Sequence, residues 1–274
     1  ALLVMGLMAY ALQKMAAKGF LPMIHPTLIK EFPLFGSGYF SGTAYDPEKD
    51  EIYRLGTSEK ESDGKVNREE KFLVGTAEPS LLAYYAGEVI EKTDLPLRLS
   101  GFSQCYRSEI GSYGRDTKGL YRVHEFFKVE QVVLCAADTK EADVLQAEML
   151  AISEEMHREL GIPYRKLQIC TGDLGTGKYR QFDLEAWMPG LNRWGETGSS
   201  SNFLDWQSRR LNVRYLDKES GERKYVYMLN NTALPSPRIL IALIENFQEE
   251  DGSVVIPEVL RPYVGKERIV SKPR

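Results

Sequence analysis

The chain has 274 residues, enough for one large domain with a sizeable core. Its 43% hydrophobic and 27% charged residues exclude a disordered or fibrous chain. The net charge of −4 gives no global basic footprint, so any nucleic-acid contact is local or belongs to another part of the protein.

In chain order, residues 1–18 (ALLVMGLMAYALQKMAAK) read as a buried helix ending at Gly19. Gln13, Lys14 and Lys18 interrupt its apolar run too early for a membrane span, so no membrane partner is expected. Residues 19–29 run extended, with Pro26 excluding helix. Residues 45–70 are dense in charge and predict a solvated loop or short hairpin. A strand is expected at 71–75 and a helix over 79–92, with Pro79 in its first turn. Residues 98–107 and 121–135 alternate as strands around a polar, Gly-containing loop. The longest helix is 138–160, with Leu145, Met149, Ile152 and Met156 at helical spacing.

Strands follow at 164–170 and 179–187, then a strand pair around LNVRYL and KYVYML joined by DKESGER. A last helix spans 236–248, and 249–274 read as a surface tail. Strands joined by hairpins, with helices in blocks, predict an α+β fold: an antiparallel sheet flanked by helices.

Cys105, Cys135 and Cys170 are odd in number and lack a CxxC, as suits reduced thiols in the cytoplasm. Three scattered histidines do not complete a four-ligand zinc site, so no zinc is expected. His157 reads as a helix-surface residue and His124 as a satisfied structural histidine.

Residues 172–178, GDLGTGK, have phosphate-loop spacing, but Tyr179 stands where Ser or Thr is needed and a strand follows rather than a helix. A Gly-rich turn between strands is the expectation. Arg107 and Arg122, on adjacent strands beside Glu109 and Glu130, are either surface arginines or an anion site. Glu130 lies in an apolar strand, and a buried carboxylate needs a partner. Periodicity alone puts Phe126 in the core. WGETGSSSN (194–202) reads as a loop able to hold magnesium through oxygen ligands, or as a plain turn. Arg238 at a helix start opposes the dipole unless an anion faces it.

These pieces together resemble seryl-tRNA synthetase, a family of class II aminoacyl-tRNA synthetases. The resemblance covers nearly the whole chain: GF…HP (19–26), TAE (76–78), CYRSEIGSYGRDTKGLYRVHEFFKVE, FDLEAWMPG, ETGSSSNFLDWQSRR and NNTALPSPRILIALIEN. It implies one catalytic domain over 1–274, with motif 1 at about 1–29, motif 2 at about 98–133 and motif 3 at about 226–248. It also implies activation of L-serine by ATP, transfer of serine to tRNA(Ser), and a homodimer.

Carried over by position, Arg107 bridges the serine carboxylate and the ATP α-phosphate. Ser108, Glu109 and Val123 serve the adenylate, and Phe126 stacks on adenine. Arg122 assists with phosphates and Arg238 clamps the γ-phosphate. Glu196 and Ser199 hold Mg2+, with Thr197 and Gly198 between them. Thr76, Ala77, Glu78, Glu130, Asn230 and Thr232 surround serine. The family usually has an aliphatic residue and then Ser-Ser after this glutamate; Thr197 and Gly198 here lead to the expectation of a more flexible loop. The family's N-terminal coiled-coil arm is expected to be absent from this chain. An amino acid:carrier-protein ligase and an inactive paralogue acting as a binding module are the alternatives.

Overall fold

A computed structural model describes residues 1–40, 42–56, 70–110 and 119–270. The loop expected after Glu109 (111–118) and half of the charged 45–70 segment (57–69) lie outside the described residues.

The chain opens with α1 (Leu2–Ala17), then β1 (Leu21–Ile24), β2 (Leu28–Ile29), α2 (Glu31–Ser37) and β3 (Tyr53–Leu55). Next come β4 (Lys71–Leu73), α3 (Glu78–Ala83), β5 (Val89–Glu91), β6 (Leu97–Tyr106), β7 (Glu125–Cys135) and α4 (Thr139–Glu159). After these follow β8 (Tyr164–Gln168), β9 (Arg180–Met188), β10 (Arg193–Asn202), α5 (Trp206–Leu211), β11 (Arg214–Asp217) and β12 (Glu222–Tyr225). The chain ends with β13 (Tyr227–Pro235), α6 (Ser236–Phe247), β14 (Val254–Val255), α7 (Arg261–Val264) and β15 (Arg268–Ile269).

Among the described residues, one seven-stranded sheet runs in the order β1-β6-β7-β13-β10-β9-β8. Every pairing in it is antiparallel except β1 with β6. The expected α+β class therefore holds. One sheet face carries Val129, Val133, Leu229 and Ala186 and packs on α1, α4 and α6. The opposite face is apolar at one end, where Val132, Leu134 and Met228 meet α3 and α5. At the other end it is polar, and the candidate site stands there.

Four sequence expectations change. The helix over 79–92 stops at Ala83, because Gly87 takes φ 81° and Val89–Glu91 instead pair with β11. The second strand of the motif begins at Glu125 rather than 121, so Arg122 and His124 lie on its approach. Residues 249–270 are not a surface tail: Ile256, Leu260 and Val264 are buried in the α1 cluster, and Val264 fills the space above Gly6. WGETGSSSN is neither loop nor turn. Its glycines and serines have low strand propensity, but β9 and β13 flank it on both sides and supply its hydrogen bonds. Residues 172–178 do form a turn between β8 and β9, and β11–β12 form the expected hairpin.

Candidate active site

Register decides which side chains share the polar face, because directly paired residues point the same way. Phe126 pairs with Cys105, and Arg107 lies two residues beyond Cys105. Lys128 and Glu130 continue that face along β7, and Glu130 pairs with Thr232 on β13. Asn230, two residues from Thr232, shares it.

Two bulges complete the arrangement. In β10 the register shifts between Glu196 and Gly198, so Glu196 stands opposite Glu185 and Ser199 opposite Asp183. Residues three apart on a regular strand face opposite sides; the extra Thr197 brings Glu196 and Ser199 to the same side. In β13 the shift falls between Thr232 and Leu234. The bulges approach closely at Gly198, where a Cβ would lie 3.3 Å from the Thr232 carbonyl oxygen, a tight contact.

A cleft of about 750 Å3, open to solvent at its mouth, runs along this face. Arg107, Glu109, Arg122, Val123, Phe126, Glu196 and Arg238 all line it. Phe126 is half-buried rather than a core residue, and the Arg107 guanidinium sits 5.4 Å from its ring centre. Arg107 Nε donates to Gly75 O at 3.4 Å, and His124 Nδ1 bonds the Arg107 carbonyl at 3.0 Å. The expected satisfied histidine is therefore one that braces the arginine strand. It also meets Tyr53 Oη at 2.8 Å, so the charged segment's first strand reaches the site. Glu51, from the same segment, has its carboxyl pushed up by burial and then by the nearby Glu109.

Arg122 Nη1 donates to Glu109 Oε2 at 2.9 Å, while Arg122 Nε is buried without a partner among the described residues. A buried guanidinium nitrogen with no acceptor suits a cleft that takes an anion. The anion facing Arg238 is Glu196: Nη1 lies 2.9 Å from its carbonyl oxygen and 3.5 Å from its carboxylate. Arg238 Nε also donates to Tyr121 O at 3.2 Å.

Deeper in the cleft is a polar quartet in which Thr76, Lys128 and Glu130 are buried and Thr232 is half-buried. Lys128 Nζ is 2.6 Å from Glu130 Oε2 and donates to Thr76 Oγ1 at 2.7 Å. Thr232 Oγ1 donates to Glu130 Oε2 at 3.3 Å. Lys128 was missed by the sequence reading, although alternation from Glu130 places it on the same face. Glu78 accepts from Gln207 Nε2 at 2.5 Å, and burial pushes its carboxyl up to about 7. Ala77 is buried under Gly101, as a packing residue.

Not every candidate side chain faces the cleft. Thr197 turns its hydroxyl to the opposite side, 2.9 Å from His157 Nε2. His157 is thus 1% exposed and not on the helix surface. Pinned inside a strand, Thr197–Gly198 is not the flexible loop expected. Ser108 Oγ is buried without a partner among the described residues. Ser199 Oγ accepts from Gln181 Nε2 at 3.0 Å. Glu196 and Ser199 offer hard oxygen donors on one face, the chemistry that Mg2+ takes alongside nucleotide phosphates.

An arginine-lined cleft over an antiparallel sheet, with an aromatic ring beside the first arginine, defines a class II synthetase core. Residues 59–247 match the family model for the tRNA synthetase class II core domain (G, H, P, S and T), and the chain belongs to that family. Within it, the sequence is 45% identical over 268 residues to a serine–tRNA ligase of Treponema denticola, covering 96% of this chain and 59% of that protein. The fold matches a crystal structure of seryl-tRNA synthetase from Pyrococcus horikoshii complexed with ATP: TM-score 0.88, 41% identity, 99% of this chain and 57% of that one. It also matches a cytoplasmic serine-tRNA ligase from Naegleria fowleri in complex with AMP, at TM-score 0.87 and 33% identity over 99% of this chain and 60% of that one. The chain thus spans under two thirds of the length of each of these relatives.

Proposed function

We propose that this chain activates L-serine with ATP and, in the whole protein, passes the seryl group to tRNA(Ser). The observation that carries the serine reading is the Lys128–Glu130–Thr232 cluster at the foot of the arginine cleft. A small hydroxyl reaching this buried cluster replaces water with fixed polar partners. An amino acid without the hydroxyl leaves Glu130 and Thr232 with no such substrate partner.

In this reading the serine carboxylate attacks the α-phosphorus of ATP. A P–O bond forms to give seryl-adenylate, and the bond to pyrophosphate breaks. The carboxylate is already a competent nucleophile, so the residues work by placement and charge neutralisation. Arg107 holds the serine carboxylate and α-phosphate together with its rigid fork. Phe126 stacks on adenine, with Glu109 and the Val123 backbone at the base edge. Arg122 and Arg238 receive the phosphates, so the Glu109 and Glu196 contacts that hold them in this structure give way or are shared. Glu196 and Ser199 would hold Mg2+, which when bound neutralises phosphate charge. Glu78, Thr76 and Asn230 surround the amino acid.

The same reading makes the protein a cytoplasmic homodimer. It is supported by the apolar β1–α2 surface, where Leu21, Ile24, Leu28 and Phe32 are exposed. Serine-dependent ATP–pyrophosphate exchange tests the proposal. Exchange with serine, little with alanine or threonine, and none in Arg107→Ala is expected; a folded chain that shows no exchange with serine overturns it.

A further inference from the structure

Both bulges that shape the cleft are held from behind by one turn of α4. Ser153 and His157 are four residues apart, so they project from the same helix face. Ser153 Oγ donates to Thr232 O at 3.1 Å, on the β13 bulge. His157 Nε2 meets Thr197 Oγ1 at 2.9 Å, on the β10 bulge. All this lies under the sheet, on the side away from substrate.

His157 Nδ1 lies 2.8 Å from Ser153 O, an acceptor only, so Nδ1 carries the ring proton. Burial lowers the imidazole's basicity and keeps the ring neutral. Nε2 is then an acceptor, and Thr197 is the donor at hand. The Thr197 hydroxyl has one proton and two acceptors within reach, His157 Nε2 at 2.9 Å and Leu184 O at 3.2 Å, and it bridges them. Asn231 Nδ2 donates to Ser153 Oγ at 2.8 Å, leaving the Ser153 proton for Thr232 O. A hydroxyl and an imidazole under a sheet are costly unless they satisfy each other, so each fixes the other's place.

We propose that Ser153 and His157 are positioning residues with separate duties. His157, by way of Thr197, sets the direction of Glu196 toward the nucleotide. Ser153, by way of the Thr232 carbonyl, sets the direction of the Thr232 hydroxyl toward the serine pocket. This rests on the serine-activating reading above and deepens it.

The test uses His157→Leu, Thr197→Val, their double variant and Ser153→Ala. Two quantities are read: Mg·ATP affinity by titration calorimetry, and the KM for serine in pyrophosphate exchange. His157→Leu and Thr197→Val each weaken Mg·ATP binding about two- to tenfold, the worth of one net hydrogen bond, with the serine KM unchanged. The double variant is no weaker than either single one. Ser153→Ala raises the serine KM and leaves Mg·ATP affinity unchanged. Should His157→Leu not fold, Thr197→Val, nearly isosteric, carries the nucleotide arm alone. The inference is overturned if both quantities move together with the melting temperature, if neither moves, or if the two changes add. A wild-type chain that binds Mg·ATP but shows no serine-dependent exchange defeats the serine reading and the Ser153 arm, and the calorimetry then decides His157. Normal exchange with unresponsive variants sinks this inference alone.

Discussion

Lys128 Nζ and Glu130 Oε2 stand 2.6 Å apart at the foot of the cleft, their side chains 6% and 4% exposed. Such a pair contributes little when intact, yet removing one partner strands a buried charge and costs roughly 3–5 kcal/mol. Lys128→Met is therefore expected to lower the urea unfolding free energy by about that much. Lys128→Met/Glu130→Met is expected to recover most of it and to lose serine-dependent exchange. A double variant no more stable than the single one contradicts the pairing.

Glu78 supplies a pH dependence. Its folded carboxyl titrates at about 7, against an ordinary value of 4.5, because burial disfavours the charge. Between those values the folded state binds more protons than the unfolded one, so stability falls as pH rises from about 4.5 to 7 and is flat above. Glu78→Gln removes the cost: its advantage in unfolding free energy is up to ~3 kcal/mol at pH 8 and vanishes near pH 4.5. If the serine ammonium needs the charged form, kcat/KM for serine drops below pH 7 in the parent chain, and that limb is missing in Glu78→Gln. Melting and exchange profiles over pH 4.5–8 check both.

Phe126 and Gly75 set the nucleotide end. Loss of an aromatic platform under a base costs roughly 1–3 kcal/mol, so Phe126→Ala is expected to weaken ATP binding about tenfold or more while Phe126→Tyr holds it. Gly75→Ala acts indirectly. A Cβ there would fall 1.8 Å from the Tyr39 hydroxyl, and the same glycine's carbonyl accepts from Arg107. Gly75→Ala is expected to impair exchange more than it lowers the melting temperature. ATP titration and thermal unfolding separate the two effects.

How much of this was legible depends on which force dominates locally. Glu130 was readable because a carboxylate in an apolar strand demands a partner, and that partner, Lys128, follows from alternation once the strand is fixed. Arg238 was readable because its charge conflicts with the helix start, and Glu196 resolves the conflict. The bulges were not readable: a register shift depends on the neighbouring strands, and Thr197 carries no local sign of turning backwards. His157 was misread because it borders the apolar stripe of α4, and only the hydroxyls beneath it reveal that the stripe continues as a polar one. Strand β10 was missed since pairing from both sides overrides the weak propensity of Gly and Ser.

The last prediction concerns β1, an edge strand. It pairs with β6 on one side and presents Ile24 at 92% exposure and Leu21 at 60%. An exposed apolar edge is a template for another chain, and Leu28 and Phe32 extend the patch across β2 and α2. In a homodimer this face is covered by its symmetry mate. Ile24→Asp places a charge at its centre, and burying that charge unpaired is prohibitive. Sedimentation at micromolar concentration is expected to give a dimer for the parent chain and a monomer for Ile24→Asp, with unchanged far-ultraviolet circular dichroism. Since α1 and β1 also buttress β6 and β7 from the sheet's core side and edge, the monomer is expected to lose exchange activity as well. A parent chain that sediments as a folded monomer removes the homodimer from the proposal and leaves the serine site to be judged on exchange alone.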